Sequence, residues 1–123
     1  MKIIVDFDNT LGVNERDVDD FIALLYLMKA KADIVLVTTT FGNDTIDIVN
    51  EKTKMVFNDL DLNYNLAFGN EDAGERIVET INTYPNDITI LTLGSTTNLA
   101  KALEIDPSIK HKAKVKRPVT YWI

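Results

Sequence analysis

Of the 123 residues, 46% are hydrophobic, which suffices for one modest core and not for two ordinary domains; the absence of cysteine excludes disulfides, thiolate metal sites and cysteine nucleophiles and fits a reducing cytoplasm. The formal net charge of −6 is unevenly divided, since residues 110–123 hold five of the thirteen basic residues and no acidic one, leaving eight basic against nineteen acidic residues in 1–109. So acidic a body repels nucleic-acid phosphates, and no apolar run approaches the length of a signal pattern or membrane span, so neither nucleic acid nor membrane is an expected partner.

Lys2 to Val5 is a short apolar run and reads as a buried strand. Asp17 to Met28 follows with Val18, Phe21, Ile22, Leu24, Leu25 and Leu27 on a wide apolar face, and Asp17 is placed to accept from the first free amides of that helix. Asp33 to Val37 is a second strand. Asp44 to Leu60 is a second helix, with Ile46, Val49, Val56 and Leu60 along one stripe. Asn65 to Phe68 is a third strand, and the helix from Asp72 to Thr83 buries Ala73, Ile77, Val78 and Ile81 before a loop at Tyr84-Pro85-Asn86. Ile88 to Leu93 is the fourth strand, and a last helix begins at Thr96 or Thr97 and buries Leu99 and Leu103.

Strands alternating with helices of this length predict right-handed crossover units, hence an α/β fold with a mostly parallel sheet flanked by helices. Residues 1–109 form that domain, and residues 110–123 a basic, divergent tail. Functional groups in such a fold gather at the carboxyl ends of the strands. The segments leaving those ends are Asp6 to Arg16, Thr38 to Asp44, Gly69 to Asp72 and Gly94 to Thr97.

The densest cluster of chemistry is VDFDNTLGVNERDVDDFIALLYL, where Asp6 and Asp8 end the first strand and Asp19 and Asp20 open the first helix. Four carboxylates at one strand exit repel one another unless a cation bridges them or some are protonated. A purely structural reading, with Asp19 and Asp20 stabilised by the helix dipole, accounts for the helix pair and not for Asp6 and Asp8.

These residues resemble the opening of the inosine-uridine preferring nucleoside hydrolases: a strand, Asp6-Phe7-Asp8, Gly12, Asp19-Asp20 at a helix start, then Ala23-Leu24. VTTTFGN, ending at Asn43, is similar to that family's second strand and asparagine turn, and ITILTLGSTTNLAKALEIDP, from Ile88 to Pro107, to the segment whose backbone carbonyl completes the metal site. The resemblance implies a Rossmann-like nucleoside hydrolase core that splits the N-glycosidic bond of purine or pyrimidine ribonucleosides into ribose and free base. It makes Asp8 a Ca²⁺ ligand and the base for the attacking water, Asp20 a second Ca²⁺ ligand, and the Leu93 backbone carbonyl a third. Asp19 then holds a ribose hydroxyl, Asn43 lies near the water and the ribose, and Asp6 stands behind the ligands. The chemistry is coherent: hard oxygen ligands suit calcium, the cation acidifies water, and anionic surroundings stabilise an oxocarbenium-like sugar.

Several features depart from the family pattern. The loop holding Asn14, Glu15 and Arg16 is longer than the common form, the passage from Gly69 to Glu75 is shorter, and KAKVKRPVTYWI from Lys112 onward no longer follows the family's next strand and glycine turn. Family members are also considerably longer, and place a further metal-binding aspartate, a histidine and more ribose contacts in their second half. A shortened gene product or a small paralogue gives this pattern, and the expectation is a truncated core with impaired turnover. His111 matches no family position and reads as a solvated residue.

Two other readings compete. IIVDFDNTL matches the opening of haloacid-dehalogenase-type phosphatases, with Asp6 as nucleophile, Asp8 as acid/base, Thr38 or Thr39 as the phosphate-binding hydroxyl, Lys52 or Lys54 as the phosphate lysine and Gly69-Asn70-Glu71-Asp72 as a degraded metal loop. That reading leaves Asp19-Asp20 and LGSTTNLAKALEIDP without a role. The third is a non-catalytic remnant that binds metal, ribose or a partner chain, with Tyr121, Trp122 and Ile123 as an apolar end able to cover a sheet edge or a second subunit in a homo-oligomer.

Overall fold

The computed structural model describes residues 1–7, 26–40, 46–59, 62–69 and 71–117. Five strands, β1 (Lys2–Phe7), β2 (Asp33–Thr39), β3 (Leu66–Ala67), β4 (Ile88–Thr92) and β5 (Ala113–Lys116), form one sheet in the order β3-β2-β1-β4-β5. Every neighbouring pair is parallel. Between them lie α1 (Ile46–Asp59), α2 (Ala73–Thr83), α3 (Thr97–Ile105) and a 3₁₀ segment at Pro107–His111. The first predicted helix falls largely outside the described residues, which include its last turn at 26–29. Among the described residues no helix is long and apolar enough to cross a membrane.

The two faces of the sheet carry separate cores. Ile4, Leu36, Ile88 and Ile90 project towards α2 and α3, where they meet Ile77, Ile81, Ala102 and Ile109; all eight are buried. Val5, Phe7 and Val37 point the other way, onto Phe57 of α1, with Leu27 and Met28 packed beside them. Strand alternation produces this division, because successive side chains leave opposite faces. Fully burying one such side chain contributes roughly 1.5–3 kcal/mol.

The alternation breaks once. Ile3 pairs with Ile34, but Ile4 pairs with Leu36, so Val35 is an extra residue in β2. This bulge resets the parity, and Ile34 therefore joins Val37 in the α1-side core although the two are an odd number of positions apart.

Gly74, in the first turn of α2, permits the close approach of α3. A Cβ there would stand 3.2 Å from Cγ of Lys101 and 3.5 Å from the backbone nitrogen of Ala102. The predicted Tyr84-Pro85-Asn86 loop is a tight turn with Asn86 at φ 65°, a conformation asparagine tolerates, and the Asp87 amide closes it on the Tyr84 carbonyl at 3.1 Å.

One segment set apart by its composition joins the sheet. Residues 113–116 belong to the lysine-rich tail, yet β5 pairs with β4 in register from Ile88↔Ala113 to Leu91↔Lys116. Alternating lysines with Ala113 and Val115 suits an edge strand: one face packs while the other is solvated.

The turn at residues 26–31 yields a stability prediction. The Ala32 amide donates to the Leu27 carbonyl at 3.0 Å and the Lys31 amide to Met28 at 3.1 Å, the double closure of a helix end whose capping residue is left-handed. That residue is Lys31, at φ 58°, where a side chain is disfavoured. Lys31→Gly is expected to raise unfolding free energy by about 1 kcal/mol and Lys31→Val to lower it, as measured by chemical denaturation. Equal stability of the two variants would contradict the motif.

Candidate functional site

The strand order reverses between β1 and β4. The chain runs outward from β1 through β2 to β3, then returns to the other side of β1 for β4 and β5. The carboxyl edge beside such a reversal, here between the exits of β1 and β4, is the place where open α/β sheets bind ligands. Two backbone bonds join the strand exits there: the Leu93 amide donates to the Asp6 carbonyl and the Thr40 amide to the Phe7 carbonyl, each at 2.8 Å.

Asp6 is the buried acid at this edge. On β1 it lies between Thr38 of β2 and Thr92 of β4 in cross-strand register, and it is 1% exposed. Its Oδ1 accepts from the Thr38 hydroxyl at 2.5 Å and from the Asn98 side-chain amide at 2.9 Å. Oδ2 is buried with no hydrogen-bond partner among the described residues. Burial disfavours the charged form, and although the Thr38 and Asn98 bonds pull the other way, the Asp6 pKa is raised from 3.8 to about 6.

Polar bonds extend along the same edge in both directions. The Asn98 amide nitrogen also donates to the Thr39 carbonyl at 2.7 Å, so the first turn of α3 grips β1 and β2 together. The Thr39 hydroxyl donates to Asn50 of α1 and accepts from the Gly69 amide at 3.0 Å, while the Asn50 amide returns to the Gly69 carbonyl at 3.3 Å. This ring ties the exits of β2 and β3 to α1. Above it the hydroxyls of Thr40 and Ser95 lie 2.5 Å apart, and Ser95 reaches the Thr97 hydroxyl at 3.3 Å, linking the β2 and β4 exits.

Of the residues singled out in the sequence, Asp6 and Leu93 stand together at the carboxyl edge, and the Leu93 side chain packs on the α1-side core. Asp8, Asp19, Asp20 and Asn43 lie outside the described residues. Asp8 directly follows Phe7, the last residue of β1. Asn98 and Asn50 were not singled out by the sequence reading, and Thr38 and Thr39 only as candidate phosphate-binding hydroxyls. Polar residues inside apolar runs were the available signal: the Thr38-Thr39-Thr40 run ends a buried strand, and Asn98 opens an otherwise apolar helix face.

The geometry disfavours phosphoryl-transfer roles for several of these groups. A nucleophilic Asp6 would have to reach a phosphorus atom, yet it is enclosed and bonded. Both candidate phosphate hydroxyls, Thr38 and Thr39, are fully buried and donate internally. The Lys54 ammonium lies over the Phe68 ring, 4.7 Å from its centre.

No protein-family model matches the sequence, and no curated protein does so. The fold is similar to a solved structure, a plant nucleoside hydrolase, with a TM-score of 0.73 at 20% sequence identity over 93% of this chain. The chain spans 46% of that protein's length. The architecture is thus a nucleoside hydrolase-like α/β fold.

The burial of Asp6 makes stability depend on pH. Because its folded pKa, about 6, exceeds the ordinary 3.8, the folded state holds the proton more tightly. The resulting stabilisation is complete below pH 3.8 and is lost as pH rises through 6. Asp6→Asn keeps an acceptor for Thr38 and Asn98 and removes the charge. With divalent cations chelated, its stability relative to the unsubstituted protein should increase between pH 4 and pH 7 by roughly 3 kcal/mol at most. Denaturation curves at the two pH values measure this, and a constant difference would show that Asp6 does not titrate in that window.

Proposed function

We propose that this chain carries the amino-terminal half of a nucleoside N-ribosyl hydrolase site, centred on the carboxyl edge between the exits of β1 and β4. The observation that carries the reading is the junction of those exits by the Leu93–Asp6 backbone bond, in a fold shared with a nucleoside hydrolase. The residues proposed to act are Asp8, Asp19, Asp20, Asn43 and the Leu93 carbonyl.

The proposed carboxylate ligands are Asp8 and Asp20, on the resemblance of their sequence positions to the nucleoside hydrolase pattern; among the described residues no group of three or more metal-ligating side chains is found. The donor set fits a hard cation, since it is oxygen throughout and the edge also buries an unpartnered carboxylate oxygen of Asp6. Calcium, when bound, supplies a lowered pKa for water and a fixed point for ribose oxygens. Asp8 takes the proton of the attacking water. Asp19 holds a ribose hydroxyl, and Asn43 orients the sugar beside it. The negative potential of the edge favours the positive charge that develops on ribose as the base departs. Asp6 is a support: gripped by Thr38 and Asn98, it holds the end of β1, which Asp8 follows in the sequence.

Calcium binding by this chain should be weak, because two carboxylates and one carbonyl leave most of calcium's six to eight positions to water. Titration calorimetry on metal-stripped protein should show an affinity that falls with Asp20→Ala. Tight binding indifferent to that change would remove Asp20 from the site.

Turnover is the second test. Proximity and electrostatic stabilisation need the ribose and the leaving base to be held from both sides, and losing one such group costs about a hundredfold or more. The purified chain should therefore release base from inosine and uridine with calcium far more slowly than a full-length nucleoside hydrolase, and Asp8→Ala should abolish the residual rate. Residual release unchanged by Asp8→Ala would reject the assignment of the base.

A further inference from the structure

We propose that Thr40 is a positioning residue for the Leu93 carbonyl, acting through a hydroxyl bridge to Ser95 that closes across the end of β1; the proposal rests on the hydrolase reading above, in which that carbonyl is a calcium ligand. Thr40 is buried, and its two polar groups face different strands. Its amide donates to the Phe7 carbonyl at 2.8 Å, which holds the exit of β2 to β1. Its hydroxyl reaches to the exit of β4, 2.5 Å from the Ser95 hydroxyl and 3.3 Å from the Ser95 carbonyl oxygen. Donation from Thr40 to that carbonyl, with acceptance from the Ser95 hydroxyl, uses both contacts at once. Strands β2 and β4 flank β1 and so stand roughly 10 Å apart, twice the ordinary strand spacing. Two short side chains do not meet over that distance alongside β1. They meet here because the chain beyond β4 turns in over the end of β1, at a bend on Gly94.

That bend is why the bridge bears on the carbonyl. The direction of the Leu93 carbonyl depends on ψ of Leu93 and φ of Gly94, and glycine, lacking a Cβ, restricts its own φ least of all residues. The peptide is therefore fixed only if the chain is anchored on both sides of it. Before it, the Leu93 amide is held by the Asp6 carbonyl at 2.8 Å; after it, Ser95 is held by Thr40. Asn98, bonded to Asp6 and to the Thr39 carbonyl, secures the first turn of α3, but Ser95, Thr96 and Thr97 lie between it and Gly94. Thr40 acts on the residue next to the bend. A carbonyl held in advance loses less freedom when a cation arrives, so the bridge strengthens binding without supplying a ligand. The anchor is the hydroxyl rather than the bulk of the side chain, and Thr40→Val separates the two because it keeps the branched shape.

The test uses the whole chain, metal-stripped, with calcium titrated in and followed by backbone amide shifts, and with amide exchange measured before calcium is added. Thr40→Val should weaken calcium binding about tenfold, as removal of a group that orients a ligand does. Without calcium it should quicken exchange at Leu93 relative to Ile90 in the middle of β4. Thr40→Ser keeps the hydroxyl and should restore both. Lys31→Val, destabilising at the opposite end of β2, should leave the affinity unchanged and so distinguishes positioning from general weakening. Ser95→Ala breaks the same bridge from its half-buried side and serves if Thr40→Val does not fold. Asp20→Ala separates the proposal from the reading beneath it. An affinity lowered by Asp20→Ala but not by Thr40→Val overturns the positioning role and leaves the hydrolase site standing, whereas no calcium binding, or an affinity lowered by neither, rejects both. Unchanged exchange at Leu93 in Thr40→Val, or equal weakening by Thr40→Ser or Lys31→Val, also overturns the role of the bridge.

Discussion

A carboxyl group buried in the central strand of a sheet has few ways to be satisfied, and the carboxyl edge of this fold is organised around one. Asp6 lies on β1, which has neighbours on both sides, so its hydrogen bonds come from the flanking strand and from the helix above: Thr38 and Asn98 both donate to Oδ1, while Oδ2 has no partner among the described residues. Leaving a buried charged or polar group unpaired costs several times what a typical exposed bond returns. The end of β1, the end of β2 and the first turn of α3 are therefore held in one arrangement.

From that point rigidity spreads by shared groups. The Asn98 amide also binds the Thr39 carbonyl, and the Thr39 hydroxyl passes the connection to Asn50 and Gly69, so a continuous polar chain runs from α3 across the sheet to the exit of β3. In a low-dielectric interior such bonds strengthen one another. Loops that rise from a rigid edge can present acidic side chains in fixed positions, which is how open α/β sheets support chemistry at a strand switch point. This is the physical ground for the half-site proposed between β1 and β4.

The sheet's two borders are managed differently. β3 has only two residues and gives a neighbouring strand little to pair with. β5 is longer and carries lysines on one face beside an apolar depression on the other. Five of the thirteen basic residues thereby fall on or beside this one border.

The amino-acid sequence by itself determined the elements whose signals are local. Four strands appeared as apolar runs, α2 and α3 as helical stripes with Ile77, Ile81, Leu99 and Leu103 inward, and the turn at Asn86 as a cluster of turn formers. Alternation of these elements was enough to give the parallel α/β class, and the acidic run after β1 is what led to the proposed site. Only the tertiary structure decided the rest, because it depends on partners far apart in the chain. Asp6 and Asn98 are 92 positions apart, and no local pattern announces that one satisfies the other. The bulge at Val35 answers to the register of β1, and the lysine alternation after residue 112 reads as a departure from the core until β4 is found beside it. Periodicity reports which face of an element is apolar; which buried polar groups meet is settled by the packing of whole elements, where the cost of an unpaired carboxyl selects among arrangements.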